Sequence, residues 1–146
     1  MRFLVQRCGL LLLTFMVASC ERRHSGGCPH DVTMRTYQQW EGSVSFPYTA
    51  PQIRRERIVN NIEKIGVGST NEEVVAALGE PDYEQEMYPK EPNRPCIGYE
   101  FMYYLEKPED LANEIHDKRI EAFFSPAGKT TKIFSNISEK DAPTAK

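Results

Sequence analysis

Between Ile97 and Leu105 the chain alternates without a break, with Ile97, Tyr99, Phe101, Tyr103 and Leu105 on one parity and Gly98, Glu100, Met102 and Tyr104 on the other. A period of two with β-branched and aromatic side chains is what a pleated strand requires, because successive side chains point to opposite faces. This pattern predicts a central strand with one aromatic face turned to a core. Such a strand needs neighbours. Lys118 to Ser125 places Ile120, Ala122 and Phe124 on one face, Ser125-Pro126-Ala127-Gly128 supplies turn chemistry, and Thr131 to Ser135 returns with Ile133 inward, which predicts a hairpin.

Upstream the period is helical. Pro51 suits the first turn of a helix because its missing N–H would be unpaired there. Ile58, Ile62 and Ile65 follow at spacings of four and three, with Arg54, Arg55, Glu56, Glu63 and Lys64 for the wet side, until Gly66 and Gly68 stop the element. Thr70 precedes Glu73 by three positions, a capping box for a second helix from Asn71 to Leu78, with Val74, Val75 and Leu78 on its buried face. Gly79 and Pro81 end it. Residues 82 to 95 are taken as a proline-containing connection, and 106 to 117, charged and carrying Pro108, as a loop or one short turn.

The expected fold class is therefore α+β: two short helices followed by a three-stranded antiparallel sheet, with one helical layer on one sheet face. The other face carries Phe123, Phe134, Met102 and Tyr104. It is either offered to a partner, with Phe123 and Phe134 as the candidate partner face, or covered by residues 37 to 50, where Trp40, Val44, Phe46 and Tyr48 show a weak alternation broken by Gly42 and Pro47.

The N-terminus reads as an address. Arg2 and Arg7 precede the apolar run Leu10 to Val17, which is shorter than the ~20 residues a membrane span needs and reads as a signal peptide. Val17-Ala18-Ser19-Cys20 resembles the bacterial lipobox, in which the cysteine is acylated, with chains such as palmitate, and becomes the first residue. This resemblance implies lipidation at Cys20, anchoring in a membrane and exposure to the periplasm. Glu21 stands where an aspartate would favour inner-membrane retention, which implies the outer membrane. The expected divisions are 1–19 signal peptide, 20–50 lipidated tether, 51–137 folded domain and 138–146 disordered tail. In an oxidising periplasm Cys28 and Cys96 are either bridged or two free thiols, once Cys8 leaves with the signal and Cys20 carries lipid.

Charge excludes one class of partner. A net charge of −3 and a pI near 5.7 leave no basic field for binding nucleic-acid phosphates. At 146 residues the chain holds one small core. His24 and His30 fall in the tether, leaving His116 alone in a charged loop with no local nucleophile and base. The spacing of His24, Cys28 and His30 matches no zinc pattern. No enzyme, metal or cofactor is expected.

Ile65-Gly66-Val67-Gly68-Ser69-Thr70-Asn71-Glu72-Glu73-Val74, continuing to Leu78-Gly79-Glu80-Pro81, resembles the SmpA/OmlA family of BamE-like small outer-membrane lipoproteins. Ser69 stands where that family has methionine, and the similarity spans about residues 53 to 136. The resemblance implies an ααβββ fold and a non-catalytic scaffold or accessory role in cell-envelope or outer-membrane protein assembly, with another cell-envelope protein as partner. The alternative is an inhibitor or protective module that blocks an envelope hydrolase, using residues 82–95 or 106–117 as a loop in which Glu106, Glu109, Asp110 and Glu114 would mimic a substrate's charge.

Overall fold

The computed structural model describes residues 35–89, 95–109, 116–138 and 141. It is an α+β protein whose antiparallel sheet has five strands rather than three. The elements run α1 (Tyr37–Glu41), β1 (Tyr48–Thr49), α2 (Gln52–Asn61), α3 (Asn71–Leu78), β2 (Tyr83–Met87), β3 (Gly98–Lys107), β4 (Lys118–Phe124) and β5 (Thr130–Ser135). β3 is central. On one side it pairs with β4 and through it with β5, and on the other it carries β2 opposite its first half and β1 opposite its end.

Both additional strands come from segments expected to be tether or connection. β2 is polar, Tyr-Glu-Gln-Glu-Met, so its alternation has little apolar signal, and only pairing with Met102 to Gly98 makes it a strand. The segment from 37 to 50 is no tether, since it forms α1 and β1 and packs on the sheet, so the folded part takes in described residues ahead of Pro51. The tail also departs from expectation at one point. Asp141 is buried and accepts from the Ser138 amide (2.8 Å) and hydroxyl (3.0 Å) and from Lys118.

The inner face follows the periodicity closely. Tyr99, Phe101, Tyr103 and Leu105 of β3 and Ile120, Ala122 and Phe124 of β4 pack against Ile58 of α2, Val74 and Leu78 of α3, and Ile65. Each such side chain contributes about 1.5–3 kcal/mol relative to exposure. The first helix is shorter than its isoleucine spacing predicts: after Asn61 it tightens into a 3-10 turn, Ile62–Lys64, and Ile65 is already extended (φ −109°, ψ 147°). Pro51 sits one residue before the helix.

The Thr70 capping box is formed in both directions: the hydroxyl accepts from the Glu73 amide at 3.1 Å, and the Glu73 carboxylate accepts from the Thr70 amide at 2.7 Å. At the other end of α3, Arg57 of α2 donates to the carbonyls of Ala76 (2.9 Å) and Ala77 (3.2 Å). Those carbonyls would otherwise lack partners, so one arginine both caps α3 and ties it to α2.

One strand residue is displaced. Ile97, expected inward, is 56% exposed, and Cys96 occupies the core beside Tyr99 instead. Gly98 explains the turn: its φ of +154° suits glycine, and a Cβ there would collide with the Phe124 carbonyl oxygen.

Candidate functional site

The second face of the sheet divides into a covered half and an open half. On the covered half, α1 begins at Thr36, whose capping box with Gln39 (2.8 and 3.4 Å) turns Trp40 onto the sheet. The Trp40 side chain is fully buried. Its ring stacks on Tyr104, with centroids 4.8 Å apart and planes 12° apart, and receives the edges of Phe46 and Tyr48. Tyr37 stands edge-on to Tyr83 at 5.2 Å. With Met102, these rings make a second apolar cluster separate from the helix-covered core. Burial pushes the Tyr83 phenol up to about 12, so it stays neutral at ordinary pH. The Trp40 Nε1–H has no partner among the described residues, so packing rather than hydrogen bonding retains the indole.

Asp82 fixes this covering layer. Its buried carboxylate accepts the Tyr104 amide at 2.6 Å and lies 3.1 Å from Arg54 Nη2 and 3.8 Å from Arg35 Nη2. It therefore joins β3, α2 and the start of the α1 segment at one point. Burial raises its pKa despite the arginines, which work in the other direction.

The open half lies over β4 and β5. Register puts Phe134 opposite Glu121 and Lys132 opposite Phe123, with Glu100 on the far side of Phe123. Phe134 is 40% exposed, and Lys132 Nζ stands 5.5 Å from the Phe123 ring centre. Arg119 pairs with Glu121 and Asp117 on the same strand. Neither phenylalanine belongs to the Trp40 cluster. Of the two alternatives drawn from parity, cover by the 37–50 segment holds for Met102 and Tyr104, and Phe123 and Phe134 stay outside that cover.

Where β3 ends and β4 begins there is a buried ion pair that sequence reasoning missed. Lys107 Nζ lies 3.0 Å from Asp117 Oδ2, which Arg119 Nη1 also approaches at 3.1 Å. The exposures of the Lys107 and Asp117 side chains are 5% and 1%. Glu106 belongs to β3 and faces Arg55 and Lys118 at 3.8 Å, so it is not a free loop carboxylate. Asp110 and Glu114 lie outside the described residues.

Cys96 is in a disulfide. A disulfide sulfur carries no proton, so its 2.9 Å approach to the Gly98 carbonyl is a contact, whereas the Gly98 amide donates to the sulfur at 3.3 Å. The other cysteines, Cys8, Cys20 and Cys28, lie outside the described residues, as do His24 and His30. Among the described residues no group of metal-ligating side chains forms, and no helix is long and apolar enough to cross a membrane. An open cavity of about 520 Å³ between α1 and β2 is lined by Thr36, Tyr37, Gln38, Glu84, Gln85 and Glu86, which bring no nucleophile and base together.

No family model, curated protein or solved structure matches this chain. The open aromatic strip must be read on its own chemistry.

Proposed function

We propose that this chain is a lipoprotein anchored in the outer membrane through Cys20 and facing the periplasm. In this reading it is a non-catalytic scaffold or accessory subunit in envelope protein assembly. The observation that carries the binding role is the half-open outer face, where Phe134 is 40% exposed beside Phe123 and Lys132 while Met102 and Tyr104 on the same face are covered by the Trp40 cluster. Exposed aromatics on a rigid sheet offer apolar area at low entropic cost, the composition of a protein-binding patch. β5 forms the edge of the sheet next to this strip, so a partner strand has a place to add.

The SmpA/OmlA resemblance supplies the finer reading of the fold. Within residues 52 to 135, α2 and α3 precede the three longer strands β3, β4 and β5, the order that family has, with β1, β2 and α1 as additions in this chain.

The test has two parts. Cells fed radioactive fatty acid should label the wild type and not Cys20→Ser, and equal label on both removes the lipoprotein assignment. The lipidated protein, carrying a photo-reactive side chain in place of Phe134, should then crosslink to barrel-assembly subunits. Crosslinking to a single stoichiometric hydrolase would replace scaffolding by inhibition.

A further inference from the structure

Among the described residues β5 pairs with β4 alone, so its second edge carries backbone groups that no strand receives. Which groups these are follows from the ladder. The Asn136 amide donates to the Arg119 carbonyl at 3.4 Å, one step beyond the Ile120–Ser135 pair. Bonded and non-bonded pairs alternate in an antiparallel ladder, so Phe134 and Lys132 also bond β4, opposite Glu121 and Phe123. Ile133 and Ser135, between and after them, therefore turn their N–H and C=O groups away from the sheet. Upstream the edge is closed, because Thr130 donates to the Ser69 carbonyl and accepts from the Gly68 amide, both at 2.8 Å. The open stretch starts after Thr130, and β5 ends at Ser135.

That short stretch fits its own copy. A two-fold axis that pairs the open groups of Ile133 and Ser135 can pass through Ile133, Phe134 or Ser135. At Ile133, Asn136 of the second copy would fall opposite Thr130, in the place that Gly68 and Ser69 already fill. At Ser135, the half-open Phe134 ring would face the Asn136 of the second copy, whose amide offers no apolar surface. At Phe134 the loop is cleared. Ile133 then bonds Ser135 of the second copy in both directions, and the two Phe134 side chains stand opposite each other as a non-hydrogen-bonded pair with Cα atoms about 4.5 Å apart, the closer of the two spacings. Lys132, the single charge on β5, faces Asn136 and lies four residues, ~14 Å of strand, from its own counterpart. No like charges meet on these two strands.

We infer that a second copy of this chain docks on the β5 edge about a two-fold axis at Phe134, so that two sheets join into one continuous sheet. An edge of about five residues a side buries less than the ~1,200 Å² of a stable interface, so the pair exchanges with the monomer. Pairing takes the edge and leaves the outward surface of Phe123 and Lys132 in both copies to another protein. The inference rests on the reading of this strip as a docking place and names the strand that adds to it.

Cysteines introduced into the full chain test the register, with the native cysteines kept and wild type as the background. A mixture of Ile133→Cys and Ser135→Cys chains sets opposite Cα atoms about 5.5 Å apart, within the span of a disulfide. Under mild oxidation the mixed dimer should form about fivefold faster than either variant links to itself, since like positions then lie on the diagonal, about 7–8 Å apart. Adding Phe134→Lys to both chains sets two ammonium groups on the axis and should slow linking about tenfold, whereas Phe134→Leu should retain it. Equal rates in the mixture and in the single variants, or a rate unmoved by Phe134→Lys, would overturn the second copy. The chain with a photo-reactive side chain at position 134 separates this inference from the partner-binding reading. Adducts to an envelope protein without self-adducts overturn the second copy and keep that reading, and an absence of both kinds overturns both.

Discussion

The Trp40 indole lies parallel to the Tyr104 ring, 4.8 Å between centroids, although 64 positions separate them in the chain. This stacking turns a segment without a sustained period into a structural layer, and it decides how much of the sheet is left for a partner.

Trp40→Ala should therefore destabilise the protein by about 3–5 kcal/mol, the cost of deleting a fully buried aromatic. Denaturant melts of residues 21–146 measure it, and removal of residues 37 to 50 should be comparably damaging. A midpoint within error of wild type would mean that this segment leaves the sheet in solution.

Phe134→Ser should behave in the opposite way. The ring is 40% exposed and outside both apolar clusters, so the change should stay within about 1 kcal/mol while partner recovery falls. Phe124→Ser, on the inner face of the neighbouring strand and 1% exposed, serves as the contrast and should cost about 3 kcal/mol or more. A large loss from Phe134→Ser would show the strip to be closed.

Thr70→Ala removes an N-cap hydroxyl while Glu73 keeps its own bond to the Thr70 amide. A loss of about 1 kcal/mol is expected in the same melts. An unchanged midpoint would show that the hydroxyl contributes nothing to α3.

Breaking the Lys107–Asp117 pair should be among the most damaging changes. Asp117→Ala strands Lys107, whose side chain is 5% exposed, and should cost about 3–5 kcal/mol. Replacing both residues by apolar ones of similar volume should recover much of that loss, and a double variant as unstable as Asp117→Ala would contradict this account.

Two carboxylates should leave opposite pH signatures. Burial raises the pKa of Asp82, so the folded state holds that proton more tightly than the unfolded chain does; its contribution to stability falls as pH rises from the usual carboxylate value through the folded one. Asp82→Asn should thus gain on wild type over that rise. For Asp141, burial pushes upward, but the bonds from Lys118 and Ser138 outweigh it and the pKa is lowered. Its stabilisation is present above the usual value and lost as pH falls through the folded one, so Asp141→Asn should fall behind wild type as pH rises. Melts from about pH 2 to 7 check both, and parallel curves for the two variants would refute the assignment.

The sequence by itself determined whatever depends on neighbours a few residues away. The alternation of Tyr99, Phe101, Tyr103 and Leu105 selects one sheet face, because side chains of a strand point to opposite sides at every step. The Thr70 and Glu73 spacing marks a helix start, because both partners of that cap lie within one turn. Parity says which face a residue is on but not what covers it. Tertiary structure alone decided that Trp40 seals Tyr104 while Phe134 stays open, since that depends on where a distant segment packs. The same holds for β2, a polar run that becomes a strand only beside β3, and for Asp82 and Asp117, whose burial depends on arginines and a lysine brought close by the fold. Such groups look like ordinary surface charges in the sequence, because burial and pairing belong to three-dimensional packing and leave no periodic mark along the chain.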